Sequence, residues 1–190
     1  MNIESHPFPP FIPENPRMFV MGTFPPQSKR WTFEFYYPNW NNDYWRICGR
    51  VFYNDRNRFC DLTNKTFKLD EIKRFLAEHH IAMSDTGTEV VRLKDNASDK
   101  FLDIRKTIDI NAVLDGYPTI DTLVTTGEKA AGVIAGLTHT ETPKMGEYAV
   151  FEHNEREIYH FRMPSTSRAF PMSLEKKAEM YARVFERLNM

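Results

Sequence analysis

The sequence predicts an α/β fold in which helices cover a short, mostly parallel central sheet. Short apolar runs alternate with amphipathic segments of helical period, and several runs end at a glycine or polar residue that opens the next helix. The 190 residues suffice for one domain with a substantial core. We therefore expect a single domain over residues 1–190, arranged as a three-layer α/β/α sandwich.

The individual elements follow from the spacing of the apolar residues. Prolines are frequent in residues 1–16 and predict an extended N-terminal arm on the surface, because proline lacks a backbone donor. Strands are predicted over residues 17–23, 81–85, 120–126, 148–152 and 158–163. Helices are predicted over residues 42–52, 69–80, 98–105, 111–115, 127–136 and 173–189. Asn42, Ser98 and Ser173 stand where Asn and Ser commonly cap a helix.

The composition is ordinary for a globular domain, with 41% hydrophobic and 27% charged residues. The formal net charge is -1, so the chain lacks the general positive charge of many nucleic-acid binders. Contact with DNA would therefore depend on a local basic strip. No apolar run approaches the roughly 18 residues that cross a bilayer, and we expect no membrane partner.

Cysteine and histidine usage argues against a metal. With no secretory leader, Cys48 and Cys60 are expected to be reduced thiols in a cytoplasmic protein. Two thiols cannot hold a four-thiolate iron–sulfur cluster, and the histidines lack the spacing of zinc ligands. We therefore expect neither a metal nor an organic cofactor, and a protein that acts as a monomer.

The segment after the first predicted strand begins at a glycine, whose backbone is accessible, and continues into a turn stiffened by prolines. Gly22 ends the strand without a side chain, which lets a ligand approach the backbone closely. Pro25 and Pro26 stiffen the following turn, so that nearby groups are held in place before a ligand arrives. A proline-rich turn without function would look the same, and these residues alone leave both interpretations open.

An aromatic and polar stretch continues this first loop. Its aromatic members are Trp31, Phe33, Phe35, Tyr36, Tyr37, Trp40, Tyr44 and Trp45. Asn39, Asn41, Asn42 and Asp43 are interspersed among them. Such a mixture suits stacking on a ligand better than filling a core.

A second loop, residues 163–170, lies between the last predicted strand and the last helix, with the sequence Met-Pro-Ser-Thr-Ser-Arg-Ala-Phe. Its hydroxyl side chains, on a backbone stiffened by Pro164, suit contact with phosphate oxygens. A Ser/Thr turn that only precedes a helix is the alternative.

Together the two loops resemble the active-site loops of the uracil-DNA glycosylase superfamily, and in particular its hypoxanthine-DNA glycosylase branch. That branch has Gly-Ser-x-Pro-Gly, then Tyr-Tyr-x-His-Pro-Arg-Asn-x-Phe-Trp, and later Leu-Pro-Ser-Thr-Ser-Pro-Ala. The positions of this chain that fit are Gly22, Thr23, Pro25, Tyr36, Tyr37, Asn42, Tyr44, Trp45 and 164–167. The chain departs from the pattern at Pro26, at residues 39–41, where Asn-Trp-Asn replaces His-Pro-Arg, and at Arg168, which replaces a proline.

The resemblance implies roles for these residues. Asn42 would position the attacking water, since Phe24 stands where other uracil enzymes have an Asp or Asn for that task; a plain helix cap is the alternative role of Asn42. The backbone near Thr23 and Phe24 would stabilise the departing base. The implied base pocket consists of Gly22, Phe24, Pro25, Tyr37, Trp45 and Thr126. The implied DNA contacts are Pro164, Ser165, Thr166, Ser167 and Arg168.

Other positions differ from the family. Thr126 replaces an Asn that reads the base edge, and a Thr hydroxyl can donate or accept but reaches less far. Met163 stands where the classical uracil enzymes of the superfamily have a His, and it cannot donate to the leaving base. Asp85 and Asp99 also match acidic positions of the branch, with a strand-end carboxylate and a helix cap as the alternative interpretations.

The expected function is therefore that of a monofunctional DNA glycosylase in base excision repair. It would flip a damaged nucleotide out of DNA and hydrolyse the N-glycosidic bond of hypoxanthine or uracil. Two alternatives stay open. One is a catalytically weak or inactive relative that binds nucleic acid or a nucleobase, and the other is a hydrolase of free nucleosides.

Overall fold

The computed structural model describes residues 2–96 and 98–189. Its strands are β1 (Ile3–Ser5), β2 (Met18–Gly22), β3 (Cys60–Asp61), β4 (Thr66–Phe67), β5 (Ile81–Asp85), β6 (Gly87–Arg92), β7 (Leu102–Thr107), β8 (Thr122–Thr126), β9 (Tyr148–His153) and β10 (Arg156–Met163). Its helices are α1 (Tyr44–Tyr53), α2 (Leu69–Glu78), α3 (Ile110–Gly116), α4 (Glu128–Thr138) and α5 (Leu174–Phe185).

The central sheet has five strands in the order β5-β2-β8-β10-β9. The first four are parallel to one another, and β9 pairs antiparallel with β10. The prediction of a mixed α/β fold with a mostly parallel sheet is confirmed. Since β2 comes before both of its neighbours in the chain, the strand order reverses at β2, and open α/β sheets bind ligands at such a reversal.

Alternate side chains of β2 enter two different apolar clusters. Met18 and Val20 pack with residues of α1, α2 and α5. Phe19 and Met21 pack with residues of α3 and α4. Because both faces of the strand are buried, its sequence is continuously apolar rather than alternating, which is why it could be predicted as a buried strand.

A second sheet, which the sequence analysis does not predict, has the order β1-β6-β7. The prediction of a helix over residues 98–105 is wrong, because β7 occupies the second half of that range. Ser98 does cap a short 3-10 turn, its hydroxyl accepting from the Lys100 amide. Beyond the turn, Leu102 and Ile104 pack with Phe24 and Val90, and this alternating pattern is that of a strand.

The N-terminal arm is more than a surface extension. Its β1 pairs antiparallel with β6, and Phe11 forms an isolated bridge with Met83 of β5. Between these two anchors the arm brings His6 against Asp85, at the end of β5. Within the ranges that the structure describes, no helix is long and apolar enough to cross a membrane.

Candidate functional site

A cleft of about 1060 Å³ opens at the carboxyl ends of the parallel strands. Gly22 lies opposite Asp85 in the strand register, and Thr126 lies opposite Met163, so four strand ends meet at one edge of the sheet. Both loops singled out from the sequence line this cleft. The position is the one at which open α/β sheets bind ligands.

Three polar atoms converge at the floor of the cleft beside Gly22. A Cβ on this glycine would lie 2.7 Å from Asp85 Oδ1, 3.4 Å from the Tyr37 hydroxyl and 3.5 Å from Thr126 Oγ1. The Tyr37 and Thr126 hydroxyls are hydrogen-bonded to each other at 2.8 Å. Glycine is therefore required at position 22 because any side chain would enter this polar cluster.

Tyr37 has an unusual backbone conformation. Its φ of 53° lies in the left-handed region, which costs energy for a residue other than glycine. The ring stacks on Tyr44 with centroids 4.3 Å apart, and this packing offsets the strain. Burial, and then the charge of Asp85, raise the pKa of Tyr37 well above its ordinary value, so its hydroxyl keeps its proton.

His6 lies behind Asp85, on the side away from Gly22. Its Nε2 is 2.7 Å from Asp85 Oδ2, and both side chains are nearly buried. The imidazole lies edge-on to Phe24 at 5.2 Å and stacked on Tyr36 at 5.8 Å. The ring is therefore fixed by packing as well as by its hydrogen bonds.

A second carboxyl group lines the cleft near the first loop. Asp99 Oδ2 accepts a hydrogen bond from the Thr23 hydroxyl at 2.7 Å. Lys129 Nζ donates to the backbone oxygens of Asp99, at 2.8 Å, and of Leu102. Burial raises the pKa of Asp99, and the nearby Asp85 raises it further, whereas the Thr23 hydrogen bond lowers it. Two acidic groups with different surroundings thus share the cleft.

The first loop is held through its backbone carbonyls. The Trp31 indole donates to the Pro26 oxygen at 2.6 Å, and Arg92 Nη2 donates to the Pro25 oxygen at 2.7 Å. Phe24 is 8% exposed and packs with the second sheet while still lining the cleft. The proline turn is thus rigid, as its sequence predicts.

Asn42 lies on the cleft at the start of α1. Its Oδ1 accepts from the Tyr44 amide at 2.9 Å, but the N-cap of α1 is Asp43, so the prediction of an N-cap at Asn42 is wrong by one residue. The carbonyl oxygens of Asn42 and Trp40 both accept from Arg46, whose guanidinium also lies 4.3 Å from the Trp40 ring centre. The buried Arg46 therefore holds the Asn-Trp-Asn segment at residues 39–41 through these hydrogen bonds and the ring contact.

The second loop is bonded directly to the first. Asn42 and Ser167 form an isolated antiparallel bridge, and the Asp43 amide donates to the Thr166 oxygen at 2.8 Å. The Tyr181 hydroxyl donates to the Pro164 oxygen at 2.7 Å. Segments more than a hundred residues apart in sequence thus form one continuous wall.

An ion cluster reinforces this junction. Lys177 is fully buried, and its Nζ donates to Asp43 Oδ2 at 3.2 Å and to the Ser167 oxygen at 2.9 Å. Arg168 Nε lies 3.1 Å from the other Asp43 oxygen. The Arg168 side chain keeps 44% exposure, so it still faces solvent at the rim of the cleft.

Two predicted site residues are more deeply buried than expected. Trp45 does not line the base pocket; it is fully buried, its indole donates to the Tyr36 oxygen at 3.0 Å, and it acts as core. Its position on the inner face of α1 explains this. Thr166 is 2% exposed, so its hydroxyl is not available to a phosphate, whereas Ser167 and Arg168 are exposed.

Apart from Trp45, the predicted residues, Thr166 included, are brought together at the cleft. Those that line it are Gly22, Thr23, Phe24, Pro25, Tyr37, Asn42, Thr126, Pro164, Ser165, Thr166, Ser167 and Arg168. The sequence analysis missed His6, because the proline-rich arm carries no pattern that fixes its register. In residues 2–96 and 98–189, no group of three or more His, Cys, Asp or Glu side chains could hold a metal ion.

These features define an α/β protein with a ligand cleft at the reversal point of its sheet. Its fold is similar to the solution NMR structure of a provisionally assigned uracil DNA glycosylase from Methanosarcina acetivorans, with a TM-score of 0.65, 18% identity and 100% of both chains covered. At that identity the likeness concerns the fold, and it does not extend to the hypoxanthine branch. No protein-family model matches the chain, and no curated protein matches it in sequence.

Proposed function

We propose that this protein is a monofunctional DNA glycosylase that excises a deaminated base, hypoxanthine or uracil, by hydrolysis of the N-glycosidic bond. The observation that carries the proposal is the joining of the two loops beside the cleft at the strand ends, in a fold similar to that of the Methanosarcina protein. The flipped nucleotide would enter the cleft over Gly22. Ser165, Ser167 and Arg168 would contact the backbone phosphates from the rim.

The proposal includes the whole chain as one glycosylase-like domain. Coverage of both chains in the fold comparison supports this extent. The two apolar clusters on either side of β2 support a three-layer α/β/α arrangement. Such an arrangement leaves the carboxyl ends of the strands open to a substrate.

Asn42 is proposed to hold the attacking water. Its Oδ1 already accepts from the Tyr44 amide, but a carbonyl oxygen has two lone pairs and can accept a second hydrogen bond. The contact with the first amide of α1 and the binding of water are therefore compatible in one side chain. Positioning of the water by a fixed group lowers the entropic cost of the hydrolytic step.

The test is a glycosylase assay on labelled oligonucleotides that each carry one uracil, hypoxanthine, xanthine, 5-hydroxymethyluracil or mismatched thymine. Both single and double strands are used, and alkali cleaves the abasic product. We expect cleavage of the hypoxanthine or uracil substrate. If no substrate is cleaved at high enzyme concentration, the proposal is wrong.

Asn42→Ala should reduce the single-turnover rate by about 100-fold while leaving affinity for the substrate DNA largely unchanged. Asn42→Asp is the matched control, since Asp caps a helix equally well and keeps an oxygen for the water. It should retain most of the rate. Normal turnover by Asn42→Ala would exclude the assigned role.

A second candidate function is binding of nucleic acid or a nucleobase without turnover. The observation that favours it is the pairing of the best-placed cation, Arg168, with Asp43, together with Met163 at a position where the classical uracil enzymes have a donor. Tight binding of abasic or base-modified DNA, with no product on any substrate, would support this second function.

A further inference from the structure

We propose that Asp85, held in place by His6 of the N-terminal arm, is the residue that reads the ring N–H of the flipped base. In this proposal the hydroxyl pair of Tyr37 and Thr126 contacts the neighbouring carbonyl of the base. The inference rests on the proposed function and names the base edge that the cleft recognises.

Asp85 supplies an acceptor that faces the cleft. Its Oδ2 is engaged by His6, whereas its Oδ1 is directed at Gly22 and accepts no hydrogen bond from the part of the chain that the structure describes. The residue is only 6% exposed, but it lines the cleft. A carboxylate oxygen in such a site gains a strong hydrogen bond when a ligand N–H reaches it.

The Tyr37 and Thr126 hydroxyls supply a donor at the same place. Two hydroxyl groups that share one hydrogen bond use one of their two protons between them. The other proton is free to point into the cleft. Both oxygens lie within 3.5 Å of the point at which a Gly22 Cβ would lie, as does Asp85 Oδ1, so the donor and the acceptor are neighbours.

A neighbouring acceptor and donor complement a lactam edge, in which a ring N–H stands next to a C=O. Deamination creates this edge: adenine and cytosine carry a ring nitrogen that accepts, whereas hypoxanthine and uracil carry an N–H at the same position. An acceptor fixed opposite that nitrogen therefore favours the deaminated base. Against the normal base it leaves two acceptors facing each other, which is costly in a closed site.

His6 is a positioning residue in this proposal. The amide nitrogen and the carbonyl oxygen of Phe8 lie 3.1 and 2.8 Å from His6 Nδ1, and the ring is packed between Phe24 and Tyr36. The backbone of the arm therefore orients Nε2 towards Asp85 Oδ2. With one carboxylate oxygen held, the other is aimed at the cleft.

The same contact predicts what Asp85→Asn would do. His6 Nε2–H would bind the amide oxygen of the new side chain, so its NH₂ group would face the cleft. The variant thus replaces an acceptor with a donor at almost unchanged volume. It should oppose a lactam N–H rather than merely lose contact with it.

The experiment measures two properties of the full chain. The first is single-turnover excision of hypoxanthine and uracil from oligonucleotides. The second is calorimetric binding of free hypoxanthine and uracil, each compared with the form methylated at the ring nitrogen, 1-methylhypoxanthine or 3-methyluracil. The wild type should bind the unmethylated base, and Asp85→Asn should reduce excision by about 100-fold and base affinity by about 10-fold.

Two variants of His6 test its positioning role. His6→Phe keeps a ring but loses the donor, and should lower base affinity by about 10-fold. His6→Gln keeps a donor to Asp85 and should stay within about 3-fold of the wild type. The matched control is His153→Phe, because His153 and Asp115 form a pair of the same 2.7 Å length at the opposite end of the sheet. It should leave excision and base binding unchanged.

The outcomes separate the two proposals. If the wild type binds free base in an Asp85-dependent manner but excises nothing, the glycosylase proposal fails and the base-reading role stands. If the wild type excises a base and Asp85→Asn excises it at the same rate, the base-reading role is overturned. Binding of neither free base by the wild type, or equal binding of the methylated and unmethylated forms, would overturn it as well.

Discussion

The two loops that bound the cleft are held in place by different kinds of interaction. In the first loop, the Pro26 carbonyl accepts from the partly exposed Trp31, and the Pro25 carbonyl accepts from Arg92, whose side chain is 8% exposed but pairs with the 40% exposed Glu4. In the second loop, fully buried groups of α5 provide the anchors, and one of them, Lys177, carries a charge.

The difference shows where the site is vulnerable. Loss of a first-loop anchor leaves a neutral carbonyl or the partly exposed Glu4 carboxylate without its partner, and this costs less than an unpaired buried charge, so the first loop should tolerate change better. A buried charge that loses its partner has no such replacement. The second loop, which also joins the first through Asp43 and Asn42, should therefore control the integrity of the whole site.

Lys177→Met is expected to have the largest effect. It leaves the buried Asp43 carboxylate with the half-exposed Arg168 as its remaining ion-pair partner, and it removes the donor to the Ser167 oxygen. Complete loss of the partners of a buried charge costs about 3–5 kcal/mol, and the remaining Arg168 contact makes this the upper bound for the variant. Urea unfolding should show this loss in the free energy of unfolding, together with loss of excision.

Lys176→Met is the matched control for that variant. Lys176 is the neighbouring residue on α5 but is exposed, so the free energy of unfolding should change by less than about 0.5 kcal/mol. If Lys177→Met were equally harmless, the buried ion cluster would not be what holds the second loop.

Arg92→Met should have an intermediate effect on the first loop. The variant loses the hydrogen bond to the Pro25 oxygen and the contact with Glu4, at 2.9 Å, but keeps an apolar stem against Phe24. A cost of about 1–3 kcal/mol is expected for the unpaired carbonyl. The excision rate should fall even under conditions in which the variant is fully folded, because the turn beside Gly22 is held less firmly.

Arg105→Met serves as the comparison for Arg92→Met. Arg105 lies on the same small sheet, in a pair with Asp103 that is about half exposed, and such pairs contribute less than about 1 kcal/mol. If the two variants lost equal amounts of stability and excision, the hydrogen bond from Arg92 to the Pro25 carbonyl would not be what holds the first loop.

Part of this architecture could be predicted from sequence, and the reason is physical. The strand over residues 17–23, observed as β2, was predicted because a strand buried on both faces is continuously apolar. The family resemblance placed Gly22 and Thr126 in one pocket, and the parallel pairing of β2 with β8 brings the ends of these strands to the same edge.

Other contacts have no local signal. His6 and Asp85 are 79 residues apart, and nothing in a proline-rich arm fixes which of its side chains points inward. Leu102 and Ile104 fit a helix or a strand over so short a range, and the partner strand decided between them. Trp45 and Thr166 fit the family motif, yet neighbouring elements bury them.

Arg168→Ala should have the smallest effect on folding and tests whether the second loop contacts DNA. The Arg168 side chain is 44% exposed, and Lys177 still neutralises the buried Asp43 carboxylate, so the free energy of unfolding should fall by less than about 1 kcal/mol. If Arg168 exchanges Asp43 for a phosphate on binding, the logarithmic salt dependence of DNA affinity should fall by about one unit.

Arg50→Ala provides the reference for that slope. Arg50 also forms a partly exposed pair, with Glu175 at 3.0 Å, but it does not line the cleft, so its removal should leave the salt dependence unchanged. Equal slopes for Arg168→Ala and the wild type would mean that the guanidinium stays with Asp43 in the complex. The second loop would then contact DNA through Ser165 and Ser167 alone, and its charges would serve only to hold it against the first loop.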